Sequence, residues 1–379
     1  MSVSDQQTVD RGREEYRLIS ADSHINEPPD LWRDRLPARY RDRAPHIERF
    51  DEGDAWVMEG ALDPINFGSN CSAGIPAAQR SSWITWDEVR AGGYDPAARL
   101  TEQDADGVDA EILYPTPRIG NQVVWHVSDP DFHVACVRAY NDWLSEYASH
   151  SPDRLWAVAL MPNVGADAAI AELERVRQLP GVRGVLIGQY PHGGEKISPE
   201  DDPFWAAVQA ARLPVSIHVA FATEAQGDRG RMKLTGSTRF YDVPVRVTQF
   251  VESGVFDRFP ALQLVLVEVD SSWTPYLREQ MDDRFKRANP ATRPDIKRLP
   301  SDYFTDSIAT TFITDPYAIV NRHYVGLTQM MWSSDYPHGG SDWPESRAAI
   351  DGYFRGVPDE ERHMILAGNA LRIYGKSGS

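Results

Sequence analysis

Apolar, β-branched runs of four to seven residues recur along the chain at Leu18–Ala21, Ala110–Tyr114, Leu155–Met161, Val182–Ile187, Pro214–Val219, Leu264–Val267, Ser307–Thr310 and Met330–Ser333. Each reads as a strand. Between them lie segments with helical periodicity: Asp131–Ser149, Ala166–Leu179, Pro203–Arg212, Val243–Phe256, Trp273–Arg287 and Pro316–Tyr324, with Pro344–Phe354 and Asp359–Leu366 after the last strand. Asp131 opens an apolar stripe of Phe132, Ala135, Cys136, Ala139, Tyr140, Trp143, Leu144 and Tyr147, and Asp359 is expected to cap the final helix. Strands that alternate with helices must pair in parallel, and eight such units close most economically into a (β/α)8 TIM barrel. The runs predict an α/β chain of this kind.

Two insertions distort the alternation. Residues 25–99 separate the first strand from its helix and carry Trp32, Trp56, Trp83 and Trp86, while Phe221–Tyr241 follows the fifth strand. Both leave the C-terminal ends of strands, the face on which barrel loops build active sites, so both are expected to form a lid or pocket wall. The organisation expected is a polar tail over residues 1–17 and one barrel domain over 18–375. The pentapeptide Tyr-Pro-His-Gly-Gly occurs twice, at Tyr190–Gly194 after the fourth strand and at Tyr336–Gly340 after the eighth, an echo of a duplicated half-barrel.

Composition narrows the function. With 39 Lys and Arg against 56 Asp and Glu, the net charge of −17 argues against a nucleic-acid or anionic-membrane surface. The only two cysteines, Cys71 and Cys136, are far apart, which excludes a thiolate metal cluster and fits a reducing, cytoplasmic setting. No apolar run approaches a membrane span, and the dinucleotide, P-loop, nucleophile-elbow and His-Glu-x-x-His signatures are all absent.

The polar residues that end apolar runs carry the chemistry. Asp22 and His24, two apart on a strand, share one face, and His218 and Asp335 end the fifth and eighth runs. Two carboxylates and two imidazoles converging on one point are the donor set of a divalent metal site with an open position. Glu268, at the end of Leu264–Val267, is the expected proton carrier, its pKa raised if burial dominates, with His338 and His192 as alternatives. Arg118 is expected to pair a substrate carboxylate, and Trp125, Trp273 and Tyr336 to stack on a ring. His133, His150, His323 and His363, on or near helices, are read as structural.

At these residues the chain resembles the amidohydrolase-related family. The stretches SADSHINEPPDLW, DADGVDAEILYPT, ESGVFDRFPALQLVLVE, WSSDYPHGGSDWP and ILAGNALRIYG follow its order along almost the whole sequence. They are most similar to the branch related to aminocarboxymuconate-semialdehyde decarboxylase and γ-resorcylate decarboxylase. The resemblance implies a barrel with a single divalent ion, zinc ahead of manganese, held by Asp22, His24, His218 and Asp335. Many relatives have His or Glu where this chain has Asp22, and the decarboxylases often have His where it has Glu268. The expected function is therefore a metal-dependent hydrolase or lyase acting on a C–C or C–heteroatom bond of a small carboxylated, cyclic or aromatic substrate. Decarboxylation stands as the alternative, followed by deamination or amide hydrolysis and by a catalytically silent barrel. The partners expected are a small-molecule substrate and a second copy of the chain, without nucleic acid or membrane.

Overall fold

The computed structural model describes residues 17–61, 63–117, 119–120, 129–194, 196–219 and 242–375. Arg118, Trp125 and all of the insertion Phe221–Tyr241 after the fifth strand lie outside them, as does the N-terminal tail up to residue 16. Eight strands form one sheet: Ile19–His24, Ala110–Tyr114, Leu155–Leu160, Val182–Leu186, Val215–His218, Leu264–Val267, Ile308–Phe312 and Met330–Trp332. Each neighbours the next in chain order, and every pairing is parallel. The last strand returns to the first through Asp335 N–H donating to Asp22 O at 2.9 Å and His24 N–H to Tyr336 O at 2.6 Å. The sheet is thus a (β/α)8 barrel.

The strands are buried along their whole length, because helices cover them outside and side chains fill the barrel inside. Three hydroxyl groups deep inside are paired. Tyr114, Ser216 and Tyr374 bring their hydroxyls together, Tyr114 to Ser216 at 2.9 Å and to Tyr374 at 2.8 Å, so the final helix Asn369–Tyr374 reaches into the barrel core. Asn369 from the same helix donates to the carbonyls of Leu327 and Met330.

Two helix ends differ from expectation. The long helix begins at Pro130, and its cap is Asp129, whose carboxylate accepts from the N–H groups of Asp131 and Phe132; proline suits the first turn because its missing N–H would be unpaired there anyway. Asp359 is not a cap. It is the first helical residue after Pro358, makes no capping bond, and the helix runs on through a π-turn at Met364–Gly368.

The first insertion has its own structure. His46–Phe50, Gly53–Val57 and Ile65–Asn66 form a small antiparallel sheet, followed by single turns of 3-10 helix. Trp32, fully buried, donates its indole N–H to Cys136 O and so fastens the insertion to the long helix. At its far end Gly93 lies against Asn26, where a Cβ would meet Asn26 Oδ1 at 2.1 Å, and Asn26 N–H donates to Gly93 O. Only glycine allows so close an approach. No described helix is long and apolar enough to cross a membrane.

Candidate metal centre

The first strand carries one residue more than its neighbour between Ser20 and Ser23, a bulge that spans Ala21 and Asp22. Bulges bend a strand locally and re-aim side chains, and they gather near active sites. Here the bulge lies at the mouth of the barrel. Asp22 and His24 are both fully buried, and His24 Nε2 lies 3.3 Å from Asp22 Oδ1 and 3.3 Å from Asp335 Oδ1. His218 Nε2, arriving from the fifth strand, lies 3.7 Å from Asp22 Oδ1 and 3.5 Å from Glu268 Oε2.

Two of the carboxylates stand on unusual backbone. Glu268 has φ +56° and Asp335 φ +54°, in the left-handed region that side chains disfavour by about 1–3 kcal/mol. Each is held there by its own N–H, Glu268 on Thr311 Oγ1 at 2.8 Å and Asp335 on Asp22 O. The turn at each strand end directs a carboxylate back over the barrel axis instead of out to solvent.

The inner atoms of this cluster lack ordinary partners. Both carboxylate oxygens of Asp22, Nε2 of His24, Nε2 of His218 and Oδ1 of Asp335 are buried without a well-formed hydrogen bond. Leaving one such group unpaired costs about 1–3 kcal/mol, so five facing one another are compatible with folding only if something joins them. The donor atoms of Asp22, His24, His218 and Glu268 all fall within 4.8 Å of one another, as do those of His24, Glu268, Asp335 and His338. That set fits one divalent cation.

The outer atoms are committed. His24 Nδ1–H donates to Pro115 O at 2.8 Å, which fixes the tautomer that presents Nε2 to the centre. Beneath it the fully buried Arg99 donates to His24 O at 2.8 Å and to Glu111 Oε2 at 2.6 Å, and Gln103 and Ser23 also donate to Glu111. This network holds the end of the first strand. Neither Arg99 nor Glu111 was nominated from the sequence, although a lone carboxylate inside the run Ala110–Tyr114 was a usable signal.

Charge balance follows from these contacts. Burial alone would lower the His24 imidazole, but Asp22 and then Asp335 outweigh it and raise the group from 6.5 to about 9. Burial would raise Asp335, yet His338 and His24 hold it well below the ordinary carboxylate range. His338 moves the other way: burial lowers it despite the adjacent Asp335. Its Nδ1 lies 2.7 Å from Asp335 Oδ1, and its ring stacks on His24 with centroids 4.0 Å apart.

Three residues nominated from the sequence stand elsewhere. His192 pairs through Nδ1 with Asp201 at 2.7 Å and lies beside Tyr190, and no described contact joins it to the cluster. The ring of Tyr336 lies between Arg99 and Trp343, and its hydroxyl bonds Glu102. Trp273 turns its indole N–H back to Val269 O at 2.8 Å and packs on the core. Arg118 and Trp125 fall outside the described residues.

Known proteins are similar to this chain in sequence and fold. The chain is 25% identical over 310 residues to γ-resorcylate decarboxylase of Polaromonas sp., covering 76% of this chain and 90% of that protein. It is 24% identical over 319 residues to 2-keto-4-carboxy-3-hexenedioate hydratase of Sphingobium sp., covering 80% and 88%. The crystal structure of a dihydroxybenzoic acid decarboxylase from Polaromonas sp., with bound manganese and the inhibitor 2-nitroresorcinol, superposes with a TM-score of 0.65 at 19% identity, over 95% of this chain and 97% of that one. The sequence profile described as "Amidohydrolase" matches residues 21–376, from the first strand through the last helix, and on that match the chain belongs to the amidohydrolase family.

Proposed function

We propose that the protein is a metal-dependent, non-oxidative decarboxylase of a small aromatic carboxylic acid, with Glu268 as the proton carrier. The observation that carries this reading is the match along most of the chain to decarboxylases of hydroxylated benzoates, which outweighs the replacement of a sixth-strand His by Glu268. A decarboxylase displaces the broader hydrolase expectation for that reason. Asp22, His24 and His218 of one donor group and Asp335 of the other, which shares His24 and Glu268 with it, would hold the ion, and manganese stands ahead of zinc because a relative's structure contains it. When bound, the ion supplies Lewis acidity toward a substrate carboxylate or phenolate oxygen.

The chain's own residues supply the rest. Decarboxylation needs a proton delivered to the ring carbon that bears the carboxylate; the C–C bond then breaks, its electron pair returns to the ring, and carbon dioxide leaves. Glu268 is buried, and the strained turn at its backbone directs its carboxyl group to the centre, which suits the transfer of that one proton. The surrounding apolar barrel excludes water and strengthens each electrostatic contact.

The test is mass balance. Purified protein loaded with manganese is incubated without oxidant with dihydroxybenzoates and carboxylated methoxyphenols, and both headspace gas and products are measured. The expected result is carbon dioxide in equal amount to a product lacking one carboxyl group. A product that keeps every carboxyl group and gains water sinks the proposal and favours hydration, the reaction named for the Sphingobium relative.

A further inference from the structure

Among the described residues five large hydrophobic side chains are exposed: Val245, Tyr276, Tyr317, Val320 and Tyr324, at 53%, 70%, 63%, 75% and 77%. All five stand on one side of the barrel. They lie on the helices Asp242–Glu252, Thr274–Arg287, Pro316–Val320 and Arg322–Val325, which follow the fifth, sixth and seventh strands, neighbours in the sheet. Tyr317, Val320 and Tyr324 are spaced by three and four, with Ala318, Ile319 and Val325 buried on the other side. Contacts join these helices into one surface. Thr248 Oγ1 lies 3.8 Å from Met281 Sδ, Arg278 donates to the carbonyls of Tyr324 and Val325 at 3.2 and 3.1 Å, and Asp315 Oδ2 accepts from the N–H groups of Ser271 and Ser272 at 2.8 Å. The last contact ties the start of one helix to the start of the next, so this part of the surface is ordered before any partner arrives.

We propose that this face is where two copies of the chain pair about a two-fold axis, each laying its tyrosines against the other's. Single exposed apolar residues are ordinary, but several on adjoining helices form a patch of the kind that marks an interface. The three tyrosines alone leave roughly 300–500 Å² uncovered, at about 150–250 Å² for a whole aromatic side chain. A standard interface buries about 800 Å² on each partner, so the tyrosines supply about half, and the valines with the polar rim along Thr274–Arg287 supply the rest. Charge selects a second copy as the occupant. A chain of net charge −17 repels its own copies, and the pairing face has to be one where that repulsion is relieved. These four helices carry six basic side chains against five acidic, so two identical faces meet there without net repulsion. A basic protein would be drawn to the acidic remainder of the surface instead. Val245, Tyr276 and Tyr317 fall in the first turns of their helices, which begin beyond the C-terminal ends of the strands, so the pairing face borders the rim of the barrel mouth.

The test needs no substrate and is independent of the reaction. The full chain loaded with manganese is examined by sedimentation velocity from about 1 to 100 μM, where an interface of standard size is formed. The expected result is the mass of two chains. Tyr276→Glu combined with Tyr324→Glu sets like charges against each other across the axis and should raise the dissociation constant by more than about 100-fold, since tyrosines at the centre of an interface are among its strongest contributors. Gln178→Glu, an equally exposed site beyond the helix Ala166–Val176 that follows the third strand, should leave the dimer intact. A single-chain mass at 100 μM in the unaltered protein, a dimer unchanged in the double variant, or a complex whose second member is a different protein would each overturn the inference. Should the double variant fail to fold, hydrogen exchange of the unaltered protein decides: peptides from Thr274–Arg287 and Pro316–Val325 should gain protection as concentration rises through the dissociation constant, and protection gained only on other helices rejects this face.

Discussion

Two loops of identical sequence, Tyr190–Gly194 and Tyr336–Gly340, leave the fourth and eighth strands, and only one of them takes part in the centre. Their shared features are structural. Each tyrosine hydroxyl reaches a helix, Tyr190 to Gln249 at 3.0 Å and Tyr336 to Glu102, and each histidine presents Nδ1 to an aspartate at 2.7 Å. The difference lies one residue before the pentapeptide. Asp335 occupies that position in the eighth-strand loop, on left-handed backbone, whereas Gln189 occupies it in the fourth-strand loop and bonds Asn163. His338 therefore pairs with a carboxylate that faces the metal ligands, while His192 pairs with Asp201, which opens the next helix. The pentapeptide builds a turn, and the residue before it decides whether that turn has chemistry.

The contrast is broken most severely at Asp335. Asp335→Asn removes a carboxylate that closes the donor set, and we expect metal content to fall to near zero and turnover by more than about 100-fold, beyond the cost of losing a ligand's neighbour. Gln189→Asp supplies the missing carboxylate to the other loop but no converging partners, so metal per chain should stay the same. Elemental analysis of both proteins checks this, and extra metal in Gln189→Asp would mean that the fourth-strand loop is a latent site.

The histidines should separate next. His338→Ala is expected to lower kcat about 10- to 100-fold with modest change in melting. His192→Ala should leave kcat within about threefold but cost about 1–3 kcal/mol of stability in urea unfolding, because the buried Asp201 carboxylate loses its side-chain donor. Equal effects of the two changes on kcat would refute the distinction between the loops.

Binding of the ion should also depend on pH through the ring that stacks on His338. With Asp22 and Asp335 beside it, His24 in the metal-free protein keeps its second proton up to about 9 instead of 6.5. A metal ligand must be deprotonated, so below that pH the ion displaces one proton, and its apparent affinity should fall by about tenfold for each unit of decreasing pH. Above about 9 the dependence on this group vanishes. Calorimetric titration in buffers of different ionisation enthalpy counts the protons released; none released at pH 7 would show that His24 is already neutral.

Much of this architecture was legible because a strand covered on both faces must be apolar along its length, so Ala110–Tyr114 and Leu264–Val267 announce both their ends. A polar side chain at such an end is expensive unless it is used, which is why Asp22, His24, His218, Glu268 and Asp335 stood out. The partners of Tyr336 and His338 were not legible in the same way. Glu102, Arg99 and Asn70 come from the insertion and its helix, 234 to 268 residues away in sequence for the hydrogen-bonded pairs, and no local pattern encodes which of them arrives. An aromatic beside a strand end looks the same whether it faces a ligand or an arginine. Asp359 shows the local version of this: an acidic residue at a helix start serves as cap or as first residue, and the preceding Pro358 sets the helix start.

The smallest effects should come from the two tyrosine hydroxyls, and they test whether the loops are equivalent as turns. Tyr190→Phe removes a neutral bond to Gln249, and Tyr336→Phe removes a bond to the Glu102 carboxylate, itself 3.8 Å from Arg90. Bonds to charged groups contribute more, about 1.5–3 kcal/mol against about 0.5–1.5 for neutral ones. The eighth-strand loop should therefore be destabilised more than the fourth, by about 1 kcal/mol in chemical unfolding. Neither change should alter KM, because the ring of Tyr336 lies between Arg99 and Trp343 and that of Tyr190 is fully buried. A rise in KM for Tyr336→Phe alone would return that residue to the substrate pocket and make the two loops differ in their tyrosines as well as in the residue before them.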